Sequence, residues 1–198
     1  MIVMERASTG EHHPLLVDAW HAPATADELD LLDGLTPPVI DIGCGPGRIA
    51  AALARRGIPS LGIDVSPSAL AVAAAAGATV LDRSVFDPLP GEGRWGTALL
   101  LDGNVGIGGD PLRLLARVRD LLGPGGDAVI EVDPPGRPTV IDEVRLRCPR
   151  RGDSPWFGWA WVGADDVAVL AAAAGFGEVV VEERLGRHFA RLGPGDRP

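Results

Sequence analysis

Lysine and tyrosine are missing altogether from this 198-residue sequence. Every basic side chain apart from histidine is therefore arginine. Without lysine there can be no P-loop lysine and no Schiff-base nucleophile. Without either residue, a Tyr/Lys hydride-transfer site is excluded. Cysteine is nearly as scarce. Cys44 and Cys148 are the two present, too few and too far apart for a zinc knot or a disulfide framework, and no metal site is expected. No apolar run reaches the roughly 20 residues that a membrane span needs. The opening Met1-Ile2-Val3-Met4-Glu5-Arg6 leads into Glu11, His12 and His13 without the apolar stretch of a signal peptide, so a cytoplasmic protein is expected. Positive charge is in deficit too. A formal net charge of -9 argues against broad affinity for nucleic acid, whose binding rests on neutralising phosphates.

What is present fits one ordinary domain, with 46% hydrophobic residues and a length that can bury a core without staples. Residues 1–13 are polar and expected to be loose. From Leu15 to Leu35 apolar residues recur at helical spacing, with Thr25 as an N-cap and Gly34 as the end. After Pro37-Pro38 strands and helices alternate. Strands are predicted at Val39–Ile42, Leu61–Ile63, Thr79–Leu81, Thr97–Leu101 and Ala128–Val132. Helices are predicted at Arg48–Arg56, from Ser66-Pro67 to Gly77, and from Asp110-Pro111 to Gly123-Pro124-Gly125. Such repetition predicts an α/β, doubly wound, Rossmann-like and mostly parallel sheet. Beyond Asp133, Thr139–Arg147 and Trp156–Val162 suit an inserted two-stranded flap. A helix from Asp165 to Ala174 and an antiparallel hairpin, Glu178–Leu185 with Arg187–Leu192, close the chain, and Gly193–Pro198 are expected to fray. One domain results: an N-terminal helical segment (1–35), a core (36–135), the flap (136–162) and the closing helix and hairpin (163–192).

The decisive stretch is Val39-Ile40-Asp41-Ile42-Gly43-Cys44-Gly45-Pro46-Gly47-Arg48. A strand ends, three glycines alternate through a tight turn, and a helix begins. Glycine lets the backbone turn sharply and lets a ligand approach with no side chain in the way. Dinucleotide binders more often space their glycines as G-x-G-x-x-G, but here Arg48 stands where that pattern wants glycine. Asp41 to Gly47 resembles the first motif of class I S-adenosylmethionine-dependent methyltransferases. The resemblance covers about residues 35–135 by motif, and the final helix and hairpin by topology. It implies a seven-stranded sheet and S-adenosylmethionine as cofactor. It also implies that Asp41 organises the loop and the methionine ammonium group, with Gly43, Cys44, Gly45 and Gly47 beside the cofactor.

Asp64 follows Gly47 by 17 residues, at the tip of the second strand. There, with Val65 beside it, a carboxylate can accept hydrogen bonds from both ribose hydroxyls of an adenosine. It could equally sit there because a helix N-terminus follows. After the third strand, relatives often carry an acid that receives the adenine amino group. Ser84 occupies that position here, so the adenine falls to Ser84 and the Val85 backbone, with Asp82 as fallback acid. After the fourth strand, Asp102 and Asn104 are placed to face the methionine portion or the acceptor, although Asn104 could simply tolerate a positive φ in a glycine-rich turn. Asp133-Pro134-Pro135-Gly136 is superficially like the D-P-P-aromatic motif of adenine-N6 DNA methyltransferases. It follows the fifth strand rather than the fourth and ends in glycine, so that reading is rejected.

Methyl transfer needs an acceptor aligned with the C–S axis, and a base only if the acceptor arrives protonated. Asp102, Asn104 and Asp133 are the candidate catalytic residues, with Glu131 as a further base and one of His12, His13 or His21 if the N-terminal segment folds over the site; a plain surface position suits each of these histidines better, and His188 belongs to the closing hairpin. In the flap, Arg145, Arg147, Arg150 and Arg151 precede Trp156, Phe157, Trp159 and Trp161. They suit a small acceptor, anionic or aromatic, held by arginine and walled by tryptophan, or a nucleic acid. A solvated basic face over core or dimer-contact tryptophans fits the same pattern. Two other functions stay open: a catalytically silent S-adenosylmethionine-binding module and an NAD-binding oxidoreductase. Oligomeric state is not legible.

Overall fold

The computed structural model describes residues 1–15, 17–149 and 152–195. The chain begins with strands β1 (Val3–Arg6) and β2 (His12–Pro14) and helices α1 (Val17–His21) and α2 (Ala26–Asp33). Strand and helix then alternate through β3 (Val39–Ile42), α3 (Arg48–Arg55), β4 (Ser60–Asp64), α4 (Pro67–Ala75) and β5 (Val80–Asp82). Next come β6 (Trp95–Leu100), a 3-10 segment (Asn104–Gly109), α5 (Pro111–Leu121) and β7 (Leu122–Val132). The last part holds β8 (Val140–Cys148), β9 (Gly152–Asp153), β10 (Phe157–Trp161), α6 (Val167–Ala173), β11 (Phe176–Arg184) and β12 (Arg187–Pro194).

Seven strands make the main sheet, in the order β11-β12-β7-β6-β3-β4-β5. β7 through β5 pair in parallel, while β12 inserts antiparallel between β7 and β11. This is the expected doubly wound sheet with an antiparallel C-terminal hairpin. The period of two along β6 shows why both faces are covered: Ala98 and Leu100 pack toward α5 and α6, whereas Leu99 and Leu101 pack toward α2 and α3. From β3 the chain winds one way to β4 and β5 and the other way to β6 and β7. The switch point therefore lies at the carboxyl ends of β3 and β6, where such folds bind ligands.

The expected helix over 15–35 is two helices separated by Ala22-Pro23-Ala24. Thr25 starts the second through a capping box: its hydroxyl accepts from the Glu28 amide at 3.4 Å and the Glu28 carboxylate accepts from the Thr25 amide at 2.9 Å. Gly123-Pro124-Gly125 does not separate helix from strand. β7 begins directly at Leu122, because Gly126 lets the backbone pass where a Cβ would lie 2.7 Å from the Trp95 carbonyl. Gly193 and Pro194, expected to fray, belong to β12, and residues 196–198 lie outside the described residues.

The largest departure is a second sheet. Residues 1–13 are not loose: β1 and β2 pair with each other, and β1 pairs with β8, giving the order β10-β8-β1-β2, with β9 also on β8. The expected two-stranded flap is thus part of a five-stranded sheet. Contacts across more than a hundred residues of chain hold it: Arg6 to Asp142 at 3.0 Å and Glu5 to Arg145 at 2.9 Å, with Met4 and Val144 buried. Local polarity cannot reveal such pairing.

Candidate active site

At the switch point the loop after β3 turns through left-handed backbone at Gly43 (φ 72°), Gly45 (φ 53°) and Gly47 (φ 85°). Two of these positions also have no room for a side chain. A Cβ on Gly43 would meet the Asn104 amide at 2.6 Å, and one on Gly47 would meet the Ala73 methyl of α4 at 2.4 Å. The loop borders a cleft of about 170 Å³, open to solvent. Asp41, Gly43, Cys44 and Gly45 line it from β3 and its loop, Asp64 from β4, and Asp102 and Asn104 from the turn after β6.

Asp41 is 3% exposed, and its Oδ2 accepts no hydrogen bond. Burial, reinforced by the Asp102 and Asp64 carboxylates and opposed by Arg48, pushes its carboxyl up to about 7. Asp64 ties the site together: Oδ2 accepts from the Gly45 amide and Oδ1 from the Ser66 amide, each at 2.8 Å. Asn104 spends its amide group on the loop, donating to the Ile42 and Gly43 carbonyls at 2.9 Å each. The positive φ in this turn falls on Asp102 (φ 55°) and Gly103 (φ 82°), not on Asn104. Burial pushes the Cys44 thiol far up, so it packs as a neutral group.

Other expected cofactor residues stand outside the cleft wall. Gly47 packs on α4. Val65 is largely exposed. The Ser84 hydroxyl accepts from the Phe86 amide at 3.3 Å, the Val85 side chain is buried in the main core, and the Val85 carbonyl accepts from Arg117 at 2.9 Å. Asp82, the fallback acid, is exposed at the end of β5.

A charged network beneath the cleft was not visible from sequence. Arg187 of β12 donates to both Glu131 oxygens at 2.8 and 2.7 Å, to Glu28 at 2.6 Å and to Asp102 at 3.0 Å. Arg48 pairs with Glu28 and Asp102, and the Asp102 amide donates to Glu131 at 2.6 Å. Burial opposes charge on Glu28, which is 2% exposed, but Arg48, the Thr25 amide and Arg187 outweigh it and hold its carboxyl at about 2. Asp102 is pushed above the ordinary carboxylate range by burial, with Glu131 adding to the shift and the arginines opposing it. The capping-box spacing of Thr25 and Glu28 and the helix-opening position of Arg48 were the only sequence signals. Trp20 of α1 also reaches the cleft.

A second, smaller cavity of about 80 Å³, open to solvent, adjoins this wall, lined in part by Gly103, Glu131, Asp133 and Trp161. Burial and the neighbouring Glu131 raise the Asp133 carboxyl, with Arg137 opposing. Of the readings open for the flap arginines, the clamp is not formed there by Arg145 or Arg147. Arg145 is paired with Glu5 and stacked on Trp156, and Arg147 is paired with Glu5 and Asp153 at 3.4 and 3.3 Å. Arg150 and Arg151 lie outside the described residues. His12 and His13 are about half exposed beside Glu5 and Glu11. His21 ends α1, and His188 sits in the closing hairpin, so no histidine lines either cavity.

The family model of the methyltransferase domain matches residues 22–180. The chain belongs to the methyltransferase-domain family. No curated protein sequence matches this methyltransferase, but solved structures share its fold. A SAM-dependent methyltransferase from Bacteroides fragilis, in complex with S-adenosyl-L-homocysteine, superimposes with a TM-score of 0.80 at 21% identity, covering 98% of this chain and 87% of that one. The 1,6-didemethyltoxoflavin-N1-methyltransferase of Burkholderia thailandensis gives 0.63 at 21% identity, over 91% and 82% of the two chains. CalS10, an amino pentose methyltransferase from Micromonospora echinaspora solved with bound SAM, gives 0.64 at 19% identity, over 92% and 99%. Among the described residues no helix is long and apolar enough to cross a membrane, and no group of metal-ligating side chains gathers.

Proposed function

We propose that this methyltransferase transfers the methyl group of S-adenosylmethionine to a small-molecule acceptor, in the cytoplasm. The observation that carries the reading is the fully buried Asp41 carboxylate, whose Oδ2 has no partner, beside a glycine loop that a side chain would block. A ligand bringing a cation to Asp41 repays the cost of burying that charge. The solved relatives named above, one bound to S-adenosylhomocysteine and one to SAM, support the same donor. The net charge of -9 favours a small acceptor over nucleic acid.

Bound S-adenosylmethionine supplies a methyl carbon on a sulfonium, so the acceptor lone pair forms the new bond as the C–S bond breaks toward a neutral thioether. The chain's part is positioning. Asp64, already fixed by the Gly45 and Ser66 amides, retains lone pairs for ribose hydroxyls. Asp41 receives the ammonium group. Asn104 anchors the loop, and Arg48 and Arg187 fix Asp102 at the edge between the two cavities. The adenine end is assigned to Ser84 and the Val85 backbone, which lie outside the cleft wall and would meet the ring only at its far edge.

Calorimetric titration with S-adenosylmethionine, S-adenosylhomocysteine and NAD tests this. The wild type should bind the two adenosyl-sulfur ligands and not NAD. Asp64→Ala should weaken both by tenfold or more, as expected for loss of hydrogen bonds to a charged acceptor. Binding of NAD alone, or of none of the three, would refute the proposal.

A further inference from the structure

We propose that the second cavity is the acceptor site and that its acceptor is an amine, with Asp133 as the group that takes the amine's proton. This rests on the methyl-transfer reading above and adds the class of acceptor. The cavity lies between the carboxyl end of β7 (Glu131-Val132-Asp133), the turn from Gly103 to Val105, and the end of β10 (Ala160-Trp161-Val162). Its wall is continuous with the first cleft through the Asp102–Gly103 peptide. A group held in it therefore stands beside the methyl-donor site.

The charges of the lining select the acceptor. No arginine lines the cavity. Glu131 is neutralised by the two-pronged contact with Arg187 and by the Asp102 amide. The Asp133 carboxylate accepts no hydrogen bond from a described residue; Arg137 alone acts on it as a cation, from outside the lining. Its backbone is locked, with the amide donating to the Val162 carbonyl at 2.7 Å and the carbonyl accepting from the Ala164 amide at 2.9 Å. Asp133 thus has a fixed backbone and an unspent carboxylate at the joint between the two sheets. Trp161 supplies an aromatic wall, flanked by Arg6 at 5.4 Å and His13 at 5.8 Å. An anionic acceptor would meet the Asp133 carboxylate, while the nearby cations stay outside the lining, Arg137 acting on Asp133 and Arg6 lying over the Trp161 ring. A protonated amine meets a carboxylate and an aromatic surface, both of which attract it.

The chemistry balances. The ammonium form R–NH3+ gives one proton to the Asp133 carboxylate. The freed nitrogen lone pair forms the N–CH3 bond as the C–S bond breaks, and the sulfur leaves with that bond's electrons as a neutral thioether. The product is R–NH2+–CH3, and Asp133 releases its proton to solvent. A carboxyl raised by burial is a better proton acceptor than an ordinary surface carboxylate.

The test uses protein saturated with S-adenosylhomocysteine and three probes of one shape: 2-phenylethylamine, 2-phenylethanol and 3-phenylpropionate. Titration calorimetry should show the amine binding at least about tenfold more tightly than the alcohol or the carboxylate. Asp133→Asn should abolish that preference, and Arg147→Ala should leave it intact, both with unchanged S-adenosylhomocysteine affinity. The proposal is overturned if the carboxylate binds best, if the amine fails to saturate the loaded wild type, or if the preference survives in Asp133→Asn. The wild-type comparison decides even if a variant fails to fold. Wild type that does not bind S-adenosylhomocysteine refutes the methyl-transfer reading instead.

Discussion

Asp41→Asn is expected to weaken S-adenosylhomocysteine binding about 30-fold at pH 7.5, the value of a hydrogen bond to a charged group lost from a buried site. The same substitution should stabilise the ligand-free protein at that pH. The carboxyl is raised from 3.8 to about 7 in the fold by burial, with Asp102 and Asp64 adding to the shift and Arg48 opposing it. A carboxyl with a raised folded value favours the folded state while protonated, so wild-type stability falls as pH rises from about 4 through about 7. Asparagine does not titrate, so the variant should gain up to about 4 kcal/mol over wild type at pH 8 and nothing near pH 4. Ligand affinity runs the other way. A bound ammonium favours the ionised carboxylate, so wild-type affinity should rise between pH 5.5 and 7, by up to about tenfold per pH unit, with proton release. That window lies below the range in which the ligand's own α-amine deprotonates, near 7.7–8.0. Titration calorimetry in buffers of different ionisation enthalpy, with Asp41→Asn as the flat reference, measures both effects. A wild-type affinity independent of pH would separate Asp41 from the ligand.

Arg187→Leu is the second large effect, and it acts on the fold. Arg187 joins β12 to α2, β7 and the turn after β6 through Glu28, Glu131 and Asp102. Leucine leaves Glu131 with the Asp102 amide alone, Asp102 with Arg48, and Glu28 with Arg48 and the Thr25 amide. Removing one partner of a buried ionic set costs about 3–5 kcal/mol because the remaining charges stay desolvated. For a chain of this size the melting temperature should fall by roughly 10 °C. The sign with pH follows from Glu28, held at about 2 against an ordinary 4.5. A lowered carboxyl contributes stability that is complete above 4.5 and lost as pH falls through about 2. Arg48 and the Thr25 amide keep their part of that shift in the variant, so the deficit of Arg187→Leu should be full at pH 7 and smaller at pH 3 by the part that Arg187 supplies. Denaturant unfolding of wild type and variant at the two pH values checks this, and an equal deficit at both would remove Glu28 from the account.

The N-terminal hairpin shows where reading the chain alone fails. Residues 3–6 and 12–14 are short and mixed in polarity; β1 becomes a strand because β8 offers an edge that sets Arg145 opposite Glu5 and leaves Asp142 within reach of Arg6, and β2 then pairs with β1. The flap arginines fail for the same reason. Their clustering before Trp156 suggested a clamp, yet Glu5, far away in sequence, takes both Arg145 and Arg147. Arg48 and Arg187 were likewise ordinary arginines until folding brought them to one set of carboxylates.

The sequence by itself determined the alternation of strands and helices, the glycine loop and the carboxylates at strand ends. These follow from local causes: side-chain period, capping, and the backbone freedom of glycine. Only the tertiary structure decided that Asp41 is buried with one oxygen unmatched, that Asn104 holds the loop, that the first residues complete a second sheet, and that the cavity beside Asp133 is acidic and aromatic rather than basic. Burial and long-range charge pairing are properties of which surfaces meet, and the spacing of residues along a chain does not specify them.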